Sequence, residues 1–344
     1  MGKEFQLDRN GKTFIIAEVG QAHDGSLGIA HSYIDAISEA GADAVKFQTH
    51  FASEESTYDD KFRINFSNQD ANRYEYWERM EFSKSQWKEL YEHAKDKKLI
   101  FLSSAFSDYA LKMLIELGIP AIKVASGEAN ISKVIDEVSK YKLPVLLSTG
   151  MSSYSDINSA LLKLNKNNIP VVCMQCTSKY PTSLKDVGLN VIDEFKKRFN
   201  VPVGLSDHSG TIYPSLSAIA RKVDVLEVHV TFDKRLFGPD TQASITIDEL
   251  KLLSNYRNAL SEMDSNPVDK NKMADSLSDM RKLFFKSLAP KKFLKKGTVI
   301  TKKMLTLKKP GTGIHPDKIN EIIGKRLNKD VRPDQLLKLE DCDE

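Results

Sequence analysis

The sequence predicts a closed (β/α)8 barrel followed by a small β-rich domain. Eight short apolar runs, most of them ending in small or polar residues, recur along the first 230 residues of the 344-residue chain. Amphipathic helical patterns connect most of these runs, and eight such units in about 260 residues match the size of a barrel of parallel strands. After Ser261 the composition changes to a polar stretch and then to short strands and turns.

The strands are expected at Phe14–Ala17, Ala44–Phe47, Ile100–Ser103, Ala121–Ala125, Val145–Ser148, Val171–Met174, Val203–Leu205 and Leu226–Val230. Near-continuous apolar runs of this length fit strands buried on both faces. Helices are expected at Ile29–Ala40, Trp87–Lys95, Tyr109–Leu117, Val191–Arg198 and the Pro214–Lys222 stretch. A doubly wound open sheet is the alternative, but no Gly-x-Gly-x-x-Gly turn follows any strand. The connection from His50 to Phe82 is long and rich in aromatics, with Tyr58, Phe62, Phe66, Tyr74, Tyr76 and Trp77. It leaves the C-terminal end of a strand, so it is expected to wall or cover the barrel mouth. The domains are therefore read as a barrel over 1–262, a helix-prone polar linker over 263–283 and a small domain over 284–344.

Fifty basic against forty-seven acidic residues leave the chain nearly neutral, which gives no footprint for nucleic acid or a membrane surface. No apolar stretch approaches membrane-spanning length, and Met1–Gln6 lacks the apolar core of a secretory leader, so a cytoplasmic location is expected. Cys173 and Cys176 have redox or zinc spacing, but without a second pair they are read as small core residues in a reducing compartment.

His208 and His229 follow consecutive apolar runs at matching places, each with a carboxylate nearby (Asp207, Glu227). Parallel pairing would set the two imidazoles side by side at one end of the sheet. Two imidazoles there suit a divalent metal with open positions better than two independent core histidines.

Barrel active sites are built at the C-terminal ends of the strands, so the strand ends carry the functional reading. Lys46 and Lys123 each sit inside an apolar strand, where a charge is costly unless paired. Either could pair with Glu18 or Glu128. Together with Ser126, Ser148 and Ser206 at neighbouring strand ends they make a multi-donor pocket for a phosphorylated or carboxylated substrate. Glu18 and Glu128 are expected to face the same mouth, as general base, as water-orienting group, or as ion-pair partners of the lysines.

In order, these strand ends closely resemble the sialic acid synthase family. The matching segments are Ile15–His23, Ala40–His50, Lys123–Glu128, Leu147–Met151, Gly204–His208 and Gly238–Asp240. The C-terminal segment resembles the SAF domain, related to type III antifreeze protein, that this family attaches to its barrel. The resemblance implies condensation of phosphoenolpyruvate with an N-acylated amino-hexose to give a nine-carbon 3-deoxy keto-acid. It implies that His208 and His229 hold Mn2+ or Mg2+, and that Lys46, Lys123, Ser126, Ser148 and Ser206 hold phosphoenolpyruvate, with Ser104 nearby. Glu128 would position the water, Glu18, Tyr180 and Asp240 would contact the open-chain sugar, and Gln48 would bind substrate. It further implies a homodimer in which Lys309 of the exchanged C-terminal domain reaches the partner's sugar site.

The chain departs from the family pattern at Ser178, where Asn is common, at Lys309, where Arg is common, and in strand eight, which reads Glu-Val-His-Val. Ser178 and Lys309 would meet the N-acyl end of the sugar, which leaves N-acetylmannosamine and 2,4-diacetamido-trideoxyhexoses both open. Two other classes stay in view. A metal-dependent hydrolase or isomerase on the same barrel usually needs more metal ligands than two histidines. A carbohydrate- or ice-binding protein led by the C-terminal module leaves the strand-end constellation unexplained.

Overall fold

The computed structural model describes Leu7 and residues 11–64, 66–129 and 131–343; the N-terminal segment Met1–Gln6 lies outside the described residues. The chain divides into two units, Met1–Ser265 and Asn266–Glu344.

In the first unit eight parallel strands pair in sequential order and the last closes onto the first. They are β1 (Phe14–Gly20), β2 (Ala44–Thr49), β3 (Ile100–Ala105), β4 (Ile122–Val124), β5 (Val145–Ser148), β6 (Val171–Cys176), β7 (Val203–Asp207) and β8 (Val225–Thr231). A short ninth strand, β9 (Ile245–Thr246), pairs with the end of β8. The fold is thus the (β/α)8 barrel that the sequence predicts. The principal helices are α1 (Leu27–Ala40), α2 (Ala52–Glu55), α3 (Arg73–Met80), α4 (Lys84–Asp96), α5 (Asp108–Leu117), α6 (Ser132–Ser139), α7 (Tyr154–Lys166), α8 (Leu189–Arg198), α9 (Tyr213–Ala220) and α10 (Ile247–Ser265). Local chemistry sets their ends. Ser26 caps α1, and Ser83 with Gln86 and Ser153 with Asp156 form capping boxes at α4 and α7.

Strand alternation explains both the core and the site. On β1, Ile15 and Ala17 pack outward against helix residues such as Tyr33, Ile34 and Ile37. Phe14 and Ile16 fill the barrel interior with Ala44, Leu102, Leu146, Met174 and Val225. Residues two apart share a face. Continuing each inward row by two toward the C-terminal end replaces Ile16 by Glu18, Ala44 by Lys46, Leu102 by Ser104, Leu146 by Ser148 and Val225 by Glu227. The lower interior is an apolar plug, and the next layer up is charged.

At the opposite end Arg257 of α10, only 4 % exposed, donates to the Asp43 carboxylate and to the carbonyls of Thr13 (3.3 Å) and Gly41 (3.1 Å). Asp43 also accepts from the Ile15 N–H at 2.8 Å, so this cluster ties the last helix to the start of the sheet.

The long β2–β3 connection carries α2 and α3 and a small core of its own. Ala52, Tyr76, Trp77 and Met80 are buried there, with Phe62, Phe66 and Tyr74 packed against them. The segment expected as a linker, 263–283, is largely helical: α10 runs to Ser265, and α11 (Lys270–Ser276) and α12 (Ser278–Phe284) follow. Asp269 caps α11 by accepting from the Asn271 and Lys272 N–H groups, so a stretch with few apolar residues still folds locally.

The second unit pairs β10 (Ser287–Pro290) with β11 (Leu305–Lys308) in antiparallel fashion. Leu288, Leu294, Ile300, Ile314, Ile322, Leu327, Val331 and Leu337 form its core among short turns. Among the described residues no helix is long and apolar enough to cross a membrane.

Candidate active site

A cavity of about 360 Å³ opens at the C-terminal end of the strands. Its floor is the charged layer above the apolar plug. Lys46 contacts the Glu18 carboxylate, lies 3.8 Å from Glu227 Oε2 and donates to Ser104 Oγ at 3.4 Å. Lys123 donates to both Glu227 oxygens at 2.9 Å, and Ser206 Oγ donates to Glu227 Oε1 at 2.9 Å. All four charged groups are buried. Register sets up the group: Glu18 pairs with Lys46 on one side and His229 on the other, Ser104 with Lys123, and Ser206 with Glu227.

The two carboxylates titrate apart. Burial alone would raise Glu227, but Lys123 and Lys46 hold its carboxyl well below the usual carboxylate range. Burial pushes Glu18 up to about 7, against the pull of Lys46. Two lysines therefore face one firmly ionised carboxylate and one whose ionisation burial disfavours, with the Ser104 and Ser206 hydroxyls beside them. That is an anion site.

His208 and His229 stand on one side of the cavity with ring centres 5.2 Å apart. His208 Nε2 lies 3.1 Å from Tyr180 Oη, and its Nδ1 lies 3.2 Å from the Thr177 carbonyl and 3.7 Å from Cys176 Sγ. Burial and then the charge of His208 push His229 well below the usual imidazole value, which leaves it neutral with a lone pair to offer. Among the described residues no group of three His, Cys, Asp or Glu side chains is spaced to hold a metal. His208 is instead held above the usual imidazole value, against burial, by Cys176 and the Thr177 carbonyl, and would offer its nitrogen donor on losing a proton. The pair would then fit a divalent ion whose remaining positions are filled by water and substrate.

Ser126, Ser148 and Ser178 line the hydroxyl side. The Gly150 N–H donates to Ser126 Oγ at 3.1 Å. A Cβ at Gly150 would come within 2.4 Å of Ser178 Oγ and 2.9 Å of Ser126 Oγ, so only glycine lets these hydroxyls converge. Opposite them Arg63, from the long connection, donates to Asp240 Oδ1 (2.9 Å) and the Pro239 carbonyl (3.2 Å). Its guanidinium sits 4.3 Å from the Tyr180 ring centre. Phe62, Phe66, Tyr76, Trp77 and Phe106 complete an aromatic wall. The expectation that this connection walls the mouth is met.

Twelve of the residues singled out from the sequence line this one cavity: Lys46, Gln48, Ser104, Lys123, Ser126, Ser148, Ser178, Tyr180, Ser206, His208, His229 and Asp240. Glu18 lies beneath it, fully buried, and accepts from Gln48 Nε2 at 3.0 Å. Glu128 faces an adjoining crevice of about 120 Å³ shared with Phe106, Ser107 and Lys123. Burial, then the nearby Glu55 charge, raises its carboxyl to about 7. Lys309 belongs to the second unit, where it is exposed and its ammonium lies 4.9 Å from the Phe284 ring centre. Of the two pairing partners considered for the lysines, Glu18 pairs with Lys46; Lys123 pairs with Glu227 and not with Glu128. Glu227, named from the sequence only as the carboxylate near His229, and Cys176, read there as a core residue, line the cavity too, with Arg63 and Gln21, to which the sequence assigned no role. Glu227 shares the inward row of Val225 and His229, a signal present in the sequence, whereas Arg63 lies in a loop with no period to read.

Fold and site define a barrel enzyme with a paired-lysine floor for a phosphate or carboxylate and a polar, aromatic mouth for a larger substrate. The profile described as NeuB family matches residues 33–268, and that described as SAF domain matches residues 285–341. The chain belongs to the NeuB family and carries a C-terminal SAF domain. It is 33% identical over 333 residues to the N,N'-diacetyllegionaminic acid synthase of Campylobacter jejuni, covering 95% of this chain and 99% of that protein. It is 32% identical over 343 residues to a pseudaminic acid synthase from Campylobacter jejuni, covering 98% of each. Among solved structures, the N-acetylneuraminic acid (sialic acid) synthetase of Leptospira borgpetersenii in complex with citrate matches with TM-score 0.69 and 28% identity, covering 82% of this chain and 99% of that one.

Proposed function

We propose that this enzyme condenses phosphoenolpyruvate with the open-chain form of an N-acylated amino-hexose and water, giving a nine-carbon 3-deoxy keto-acid and phosphate. The sugar is N-acetylmannosamine or a 2,4-diacetamido-trideoxyhexose. The observation that carries this reading is the paired-lysine floor ringed by hydroxyls. Such a floor suits a small, doubly charged anion. The relatives, which are named as legionaminic, pseudaminic and sialic acid synthases, support the sugar class.

In this reading Lys46, Lys123, Ser104, Ser126, Ser148 and Ser206 hold the phosphate and carboxylate of phosphoenolpyruvate. The methylene carbon attacks the sugar aldehyde, a C–C bond forms, and positive charge develops at the enol carbon. Water adds there and gives up a proton to Glu128, whose carboxyl is pushed up to about 7 and so suits proton transfer near neutrality. The aldehyde oxygen takes a proton and becomes the new hydroxyl. The bond from the former enol carbon to the phosphate oxygen then breaks as the added hydroxyl loses its proton to become the keto group, so that the water's two protons end on the new hydroxyl and on phosphate, and the lysines stabilise the departing phosphate. Gln48, Tyr180, Ser178 and Asp240 orient the sugar, with Glu18 acting through Gln48. His208 and His229 would hold a divalent ion, Mn2+ or Mg2+, which as a Lewis acid polarises the aldehyde.

The reading includes a homodimer that exchanges its C-terminal domains, bringing Lys309 to the partner's sugar site, and a cytoplasmic location, where phosphoenolpyruvate is made. The test is a phosphate-release assay with metal, phosphoenolpyruvate and a panel of acylamino-hexoses. Release that needs both substrates supports the reading. Release without any sugar, or none with any sugar tested, overturns it.

A further inference from the structure

Behind the aromatic wall lies a hydrogen-bonded chain whose outer members, His50 and Glu55, the roles above do not use. Glu55, at the end of α2, places Oε1 2.5 Å from His50 Nδ1. His50 Nε2 lies 3.4 Å from Gln48 Oε1, and Gln48 Nε2 donates to Glu18 Oε1 at 3.0 Å. Glu18 in turn contacts Lys46. The imidazole is clamped flat between Trp77 (ring centres 3.8 Å apart, 12° between planes) and Phe106 (4.3 Å, 12°). Both clamping rings line the cavity, as does Gln48, while His50 does not.

We propose that His50 and Glu55 are positioning residues that lock the Gln48 amide in one orientation, so that its second N–H is presented to the sugar in the cavity. This rests on the function proposed above. The argument is one of donors and acceptors. Gln48 presents its NH2 to Glu18, whose carboxylate form is favoured by the contacting Lys46 ammonium and can only accept, and so its carbonyl faces His50. His50 must therefore carry its proton on Nε2, and a neutral imidazole then has a bare Nδ1. Bare Nδ1 needs a donor, and the one group facing it is a carboxyl, which donates only when protonated.

The surroundings support a protonated Glu55. Its Oε2 is buried without a hydrogen-bond partner, tolerable for the carbonyl of a neutral carboxyl and costly for a carboxylate. Burial pushes Glu55 up to about 8 and pushes His50 down to about 3, so the shared proton belongs on Glu55. The charged and titratable groups facing the pair are Arg73, Asp60, Glu81, Glu128, His23 and Asp240. The Phe51 N–H and then Arg73 favour the Glu55 carboxylate, and burial, which outweighs both, and Asp60 oppose it. The sign follows. Glu55 is raised, so the locked state is complete below its ordinary value and is lost as pH rises through about 8. Above that pH Glu55 loses its proton to solvent, its carboxylate would accept a hydrogen bond from the Nδ1–H tautomer, and bare Nε2 would then face the Gln48 carbonyl.

The test uses the full-length chain and has two arms. The first is 15N NMR of the His50 ring without substrate, which reads the tautomer whatever the enzyme acts on. A neutral Nε2–H ring at pH 7, kept in Glu55→Gln and lost in Glu55→Leu, is the expected result. An Nδ1–H or cationic ring at pH 7 overturns the proposal. The second arm compares KM values in folded variants. Glu55→Leu and His50→Leu should raise the sugar KM about tenfold, the loss expected with one ordinary positioning hydrogen bond. The phosphoenolpyruvate KM should stay unchanged, and Glu55→Gln, whose amide can donate, should match wild type and lose the rise in sugar KM above pH 8. Glu55→Gln as impaired as Glu55→Leu, or an unmoved sugar KM in both leucine variants, overturns it. Absence of turnover in the wild-type enzyme would sink the proposed function and leave the NMR arm to decide the tautomer.

Discussion

Lys123 on β4 and Glu227 on β8 meet across the inside of the barrel, with Lys123 Nζ donating to both carboxylate oxygens at 2.9 Å. Fourth and eighth strands of an eight-stranded barrel are opposite one another, so the pair spans the interior and closes it above the apolar plug. Ser206 from β7 and Lys46 from β2 converge on the same carboxylate.

This pairing sets the outcome of charge removal. Removing a lysine left unpaired in an apolar strand would relieve the fold. In the structure Lys123→Met strands a buried carboxylate, and the cost is expected to be about 3–5 kcal/mol. Lys123→Met combined with Glu227→Gln should recover most of that stability in chemical denaturation while the phosphoenolpyruvate KM stays raised. Recovery of both together would mean that the lysine serves the fold alone.

His208→Ala and His229→Ala should each lower kcat by about a thousandfold or more, consistent with loss of a Lewis acid worth several kcal/mol. Their melting temperatures should stay near wild type, and a chelator should silence the wild-type enzyme until Mn2+ or Mg2+ is restored. Full activity after exhaustive chelation would remove the metal from the account.

Arg63 reaches over the mouth to Asp240 and Tyr180, and its planar fork makes two hydrogen bonds and a stacking contact at once. Arg63→Ala should raise the sugar KM roughly tenfold and leave the phosphoenolpyruvate KM alone, about the effect of one charge-assisted hydrogen bond. Arg63→Lys should not rescue it. Equal effects on both substrates would show that the segment shapes the whole cavity and not the sugar site.

The exchanged-domain dimer has its own test. Chains carrying His208→Ala, mixed with chains carrying Lys309→Ala, should regain part of the wild-type sugar turnover, because one of the mixed sites recovers both groups. Verified mixed dimers without recovery, or a fully active monomer, would contradict it.

Much of this site is legible in the sequence, because charges inside apolar strands are costly and so stand out. Lys46, Lys123, His208 and His229 are read that way, and closing the barrel brings them to one layer. Glu227 carries the same signal but is masked by its neighbour His229. Counting by two from Val225 would have placed all three on one face. Glu18 faces inward as expected, yet Lys46 and Gln48 cover it, and how deep a side chain sits is not written in strand alternation. Cys176 reads as a core residue and is buried, but it also lines the cavity beside His208. The contacts of Arg63 and Glu55 depend on how an irregular connection folds back over the mouth, and irregular backbone leaves no period in the sequence.

The most direct test of the central claim is to run the reaction in H2(18)O and follow the released phosphate by 31P NMR. Condensation breaks the bond between the enol carbon and its oxygen, so the phosphate should carry no 18O, and one keto-acid should form for each phosphate released. Phosphate carrying one 18O, with free pyruvate in equal amount, would mean that water attacks phosphorus, and the enzyme would be a hydrolase.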